Sequence, residues 1–164
     1  MRNLTKQKTA SSCKTLCVTS RTFQKISTLT KIIKHIIADS DNGFLNFDLR
    51  DLLTLISDGE KYSWTLADMD VTILNKDNQP TDTDYKLIES INNNQKSQTV
   101  TWADLKRLTK LDIQTIDGTI TAQNSDQKIE ISAFDSSYWT VSTIDLALSE
   151  RLQKRFKDIT ISKT

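Results

Sequence analysis

The chain alternates between two hydrophobic periods. Ile26, Leu29, Ile32, Ile33, Ile36 and Ile37 recur at three- and four-residue spacing, which predicts a helix with one apolar stripe ending near Asp39. Leu49, Leu52, Leu53 and Ile56 repeat the spacing, so a second helix is expected over Asp48–Ile56, stopped by Asp58-Gly59. In Tyr62–Leu74 the period drops to two. Trp64 and Leu66 share one phase and Met69, Val71 and Ile73 the other, which predicts a strand with a bulge near Ala67-Asp68, a helical start at Thr65 being the alternative. Asp82 or Thr83 is placed to cap a helix running to Ile91, and Thr101 with Asp104 forms a capping box ahead of Leu105 and Leu108.

Two alternating runs follow. Ile116, Gly118, Ile120 and Ala122 are expected to face one way, and Ile129, Ile131 and Ala133 continue across a turn at Asn124-Ser125-Asp126, as a hairpin would. A further strand is expected around Tyr138–Val141. After it, Ser142 and Asp145 predict a cap for a helix over Thr143–Lys157, with Ile144, Ala147, Leu148, Leu152 and Phe156 inward. Ile159 and Ile161 close the chain as a short strand. This order predicts an α+β domain in which N-terminal helices precede an antiparallel sheet, with a late C-terminal helix packed on it.

Charge divides the chain. Residues 1–34 carry eight Lys or Arg and no acid, while residues 35–164 carry 14 basic and 21 acidic residues, a balance of 14 − 21 = −7. Residues 1–25 are therefore set apart as a basic leader, expected to be a disordered tail or an upstream extension; a transit peptide shares this composition. Residues 26–164 are assigned to a single domain, whose surplus of acid favours a basic partner and disfavours nucleic acid. Cys13 and Cys17 both fall in the leader, so the body is no disulfide-stapled secreted domain, and a reducing, cytoplasmic setting is expected. No run of about 18 apolar residues predicts a membrane span.

No catalytic or cofactor motif stands out. His35 is the only histidine, which leaves Ser-His-Asp, Cys-His and zinc-hydrolase arrangements without their imidazole set. Asp68 and Asp70 lie two apart, a spacing that puts two carboxylates on one face of a strand and suits a divalent cation. An exposed acidic strand face is the simpler expectation for them. Asp58 and Glu60 add further exposed acids. Tyr138 lies in Phe134–Val141, the densest mixture of large aromatics and small polar residues, which reads as a strand corner or as a binding edge.

Four blocks, Phe47–Leu53, Asp58–Trp64, Thr101–Leu105 and Phe134–Val141, resemble a pattern found in small, poorly characterised bacterial proteins. In size and acidity these are similar to the immunity proteins that neutralise polymorphic bacterial toxins. The resemblance spans about residues 45–160 and implies no catalytic residue. It implies a non-catalytic protein-binding module, with Asp58, Glu60, Asp68, Asp70 and Tyr138 as the binding candidates and no cofactor. A divalent-metal-dependent enzyme using Asp68 and Asp70 is the alternative.

Overall fold

A computed structural model describes residues 31–41, 44–74, 80–93 and 97–163. The expected leader, the Asn75–Gln79 part of one turn and the 94–96 part of one loop lie outside these residues. Seven strands form one antiparallel sheet in the order β5-β4-β6-β7-β8-β1-β9. They are β1 (Ile33–Ile37), β4 (Ser63–Ile73), β5 (Gln98–Val100), β6 (Ile113–Gln123), β7 (Lys128–Phe134), β8 (Tyr138–Thr143) and β9 (Ile159–Lys163). Ser40–Asp41 (β2) and Phe44–Leu45 (β3) pair separately. Four helices complete the order: α1 (Leu49–Leu53), α2 (Asp82–Asn93), α3 (Trp102–Leu108) and α4 (Leu146–Arg155). The α+β class, the antiparallel sheet and the packed C-terminal helix are as expected.

The first expected helix is not. Its described part is β1, a central strand between β8 and β9. Ile33, His35 and Ile37 point inward, and Lys34 and Ile36 outward. Ile33 and Ile37, four apart, suit either period, but β-branched side chains fit a pleated surface better than a helix. Pairing with two neighbours then settles the period at two.

Helices cover one face of the sheet. Leu49, Leu52 and Leu53 of α1, Ile88 and Ile91 of α2, Leu105 and Leu108 of α3, and Leu148 and Leu152 of α4 join one core. Trp64, Leu66, Ile120, Ile129, Ile131, Trp139 and Val141 meet them from the strands. The other face is mixed in exposure: Ser132 and Thr140 are buried, at 7% and 5%, while Ile36 and Phe134 are exposed. One row across it reads Thr119, Ser132, Thr140, Ile36, Thr160, with the Thr119 and Ser132 hydroxyls 3.0 Å apart.

The caps lie where short side chains can meet backbone N–H groups. Asp48 and Asp51 make a capping box on α1, as Thr101 and Asp104 do on α3. At α2 the cap is Thr81, one residue before the expected position. Its N–H and hydroxyl both donate to Asp84, whose N–H bonds back to the Thr81 hydroxyl. Those bonds, the Thr81 hydroxyl first, hold the buried Asp84 carboxyl below its ordinary pKa, and Arg107 adds to the effect. At α4, Thr143 ends β8 and Asp145 is the cap, replacing the expected Ser142. The helix is thereby rotated, so Ser149 is buried and Ala147 exposed.

At one edge β5 covers β4 only from Trp64 to Leu66. Further along, the Asn92 side chain accepts from Val71 N–H and donates to Val71 C=O, at 3.1 and 2.8 Å.

Candidate functional site

The five binding candidates separate into two groups at opposite ends of β4. Asp58 and Glu60 precede the strand. Asp58 adopts a left-handed backbone, φ 53°, and its carboxylate accepts from Lys61 at 2.9 Å. That bond raises the Lys61 pKa. Trp64 Nε1 donates to Gly59 C=O, and the Trp64 and Trp102 rings stack at 5.0 Å. A Cβ on Gly59 would overlap the Trp102 indole, so only glycine admits the stack. Tyr62 packs edge-on to Trp64 and donates its hydroxyl to Gln127. Partial burial pushes the Tyr62 phenol pKa up. Two of the four sequence blocks thus close on each other as packing, with little left for a ligand.

Asp68, Asp70 and Tyr138 gather at the far end. The expected bulge is present: Asp68 has φ 52°, and the β4–β6 register shifts on both sides of Asp70. A second irregularity on β6 answers it. Thr119 pairs with Ala67 and Asp117 with Asp70, but Thr115 already pairs with Val71. Ile116 is the extra residue, so the alternation expected for β6 reverses there. Thr115 is buried and Ile116 half-buried, opposite to the pattern read from the sequence. Gly118, at φ 135°, brings its backbone against Met69, where a Cβ would come within 2.8 Å of Met69 Cα.

The β7–β8 hairpin folds back onto this irregular stretch. Asp135 and Ser136 at its tip both have left-handed backbones, φ 46° and 50°. Asp135 N–H donates to the Asp117 carboxylate at 2.8 Å, and Ser136 N–H to Ile116 C=O at 2.9 Å. The bulged residues therefore hold the tip. On the face away from the helices, Phe134 and Tyr138 stack at 4.7 Å, nearly parallel, and Phe134 is 37% exposed. Asp68, Asp70, Asp117 and Asp135 are exposed on the neighbouring bulged stretch and hairpin tip. Asp70 lies directly across from Asp117, a like-charged pair that costs the sheet stability.

On the helix side of the tip is a cleft of about 640 Å³. Phe47, Ile113, Thr115 and Trp139 line its floor, and Asp48, Arg50, Asp51, Asp112 and Asp135 its rim. It brings together the other two sequence blocks, Phe47–Leu53 and Phe134–Val141. Among the described residues no three His, Cys, Asp or Glu side chains form a metal-ligand group.

His35, read from the sequence as a helix-flank residue, is fully buried on β1 between Val141 and Ile161. Neither ring nitrogen has a hydrogen-bond partner among the described residues, and burial lowers its pKa.

Reasoning from sequence did not mark Asp117, Asp112 or Thr115. Their roles depend on the reversed phase of β6, for which the only local signal is Gly118 inside an alternating run. No protein-family model, curated protein or solved structure matches the chain. No helix among the described residues is long and apolar enough to cross a membrane.

Proposed function

We propose that this chain is a non-catalytic protein-binding module that docks a basic partner at the hairpin-tip end of its sheet. The observation that carries the reading is the stacked Phe134–Tyr138 pair at the same end of the sheet as the exposed Asp68, Asp70, Asp117 and Asp135. Aromatic anchors beside charge of one sign are the usual make-up of a specific contact: the rings supply area and the charges supply steering. The −7 balance of residues 35–164 works in the same direction at longer range. Within this class the reading extends to an immunity-type protein that occludes a basic toxin domain in the cytoplasm. Asp58 and Glu60 drop to a secondary place in it, since Asp58 already holds Lys61 and both lie at the other end of β4.

Where a toxin gene adjoins the gene for this chain, its product is the partner to test. Its affinity for the chain is expected to fall steeply between about 50 and 300 mM salt, as screening shortens the reach of the carboxylates. The variant carrying Asp68→Asn, Asp70→Asn and Tyr138→Ala is expected to bind at least about tenfold more weakly, a loss of about 1.4 kcal/mol. Unchanged binding by that variant removes the reading. Calorimetric titration with Mg²⁺, Mn²⁺ and Ca²⁺ tests the metal-dependent alternative: a saturable heat abolished by Asp70→Asn would replace the binding module with that enzyme.

A further inference from the structure

The cleft behind the hairpin tip has an apolar floor, a rim of predominantly one sign and an unanswered polar atom. Among the described residues four carboxylates (Asp48, Asp51, Asp112 and Asp135) stand against one cation, Arg50, a balance of 1 − 4 = −3. Asp51 is already engaged outside the cleft by Arg155 at 2.8 Å, which leaves a local balance of −2. Thr115 is 4% exposed and lies on the helix-facing side of β6, in the same layer as Ile113 and Trp139. Its hydroxyl is buried with no hydrogen-bond partner among the described residues. A buried hydroxyl left unpaired costs free energy that a ligand donor or acceptor recovers.

We propose that this cleft receives a single cationic side chain, an Arg guanidinium or Lys ammonium, projected by the basic partner. The assignment rests on the binding reading given above and names the part of the partner that enters the fold. Such side chains divide into an apolar stem and a charged head. The stem matches Phe47, Ile113 and Trp139 on the floor, and the head matches Asp112 and Asp135, with Thr115 beneath. Arg50 repels the head and so favours the hairpin side of the rim. At about 640 Å³ the cleft is large for one side chain, so it also admits the flanking backbone and water. Asp135 serves both surfaces: its backbone N–H is held by Asp117, while its residue also borders the cleft. A partner strand or loop lying across the Phe134–Tyr138 pair would therefore reach the cleft by passing over the tip.

The test uses the full ¹⁵N-labelled chain and two blocked amino acids of nearly equal shape, N-acetyl-arginine amide and N-acetyl-citrulline amide. The arginine probe is expected to shift the Trp139 indole and Thr115 amide signals saturably, and the neutral citrulline probe to bind at least about tenfold more weakly. Asp112→Asn with Asp135→Asn should weaken the arginine probe to a similar degree. Asn tolerates the left-handed backbone at 135, and an otherwise unchanged spectrum reports that the fold is kept. Equal binding of the two probes, or no saturable shift at Trp139, overturns the proposal. Tighter binding of free L-arginine than of the blocked amide also overturns it, by giving the cleft to a free amino acid. The two readings fail separately. If the Asp68, Asp70 and Tyr138 variant loses the partner while Trp139 ignores the arginine probe, the cleft assignment falls and the docking surface stands.

Discussion

The two ends of β4 use aromatic residues in opposite ways. At the start of the strand Trp64 is 1% exposed, stacked on Trp102 and hydrogen-bonded to Gly59. At the far end Phe134 and Tyr138 stack just as closely but on the face away from the helices, with Phe134 exposed and carboxylates on the neighbouring strands. A glycine underlies each arrangement. Gly59 lets an indole lie flat on the chain, and Gly118 lets two bulged strands approach. The first end is closed by regular pairing, and Tyr62 and Trp64 spend their polar atoms on Gln127 and Gly59. The second end interrupts its pairing, holds a cleft and leaves like charges facing each other. Stability is concentrated at one end, and features that cost stability at the other, which is where binding sites are commonly paid for.

The contrast is broken most strongly at the closed end. Trp64→Ala is expected to cost about 3–5 kcal/mol, as large aromatic deletions in cores do, and to lower the denaturant midpoint accordingly. Tyr138→Ala at the open end should cost no more than about 1.5 kcal/mol, the upper value for an aromatic pair. Equal losses at the two positions would erase the distinction. Gly118→Ala comes next. It forces a Cβ onto Met69 at φ 135°, and a loss of about 1–3 kcal/mol is expected. The hairpin tip should loosen with it, measured as faster amide exchange at Asp135 and Ser136 than in the parent.

His35 gives a smaller, pH-dependent effect. Its folded pKa is lowered by burial, so the unfolded chain binds the proton more readily. Stability from this source is complete above the ordinary imidazole value of 6.5 and is lost as pH falls below it toward the lowered folded value. The denaturant midpoint is expected to fall between pH 7 and pH 5, and the His35→Leu profile to be flatter over that window. Asp84 acts in a separate window. Its pKa lies below the ordinary carboxylate value of 3.8, so its contribution is present above that value and lost in stronger acid. The smallest effect has the opposite sign: Asp70→Asn relieves the repulsion with Asp117 and should raise stability by about 0.2–1 kcal/mol. A loss there would show that the pair is held by something it binds.

Local signals made much of the fold legible. The change of phase between Leu66 and Met69 located a bulge, and Thr101 with Asp104 located a cap, because each depends on residues close in sequence. Ile33–Ile37 was misread as helix since Ile33 and Ile37, four apart, satisfy both periods and Ile36 completes a helical stripe. A polar His35 at an inward position further disguised the alternation. The phase of β6 failed for a related reason: the extra residue at Ile116 is set by pairing with a bulged neighbour more than 40 positions earlier in the chain. The site was less legible again. Asp68, Asp70 and Tyr138 were visible as exposed candidates, but their meeting with Asp117 and Asp135 depends on the hairpin folding back over β6. Asp58 and Glu60 belonged to the same list by composition alone, and tertiary structure separated them.

The Asn92 amide at the rim of β4 has a consequence for how the molecule behaves in company. A sheet margin with free peptide groups templates the backbone of any extended chain it meets. By occupying both Val71 groups, one side chain closes the rung that β5 is too short to reach. Replaced by leucine, that rung would be open to a second molecule, and self-association would compete with whatever the acidic end is built to recognise.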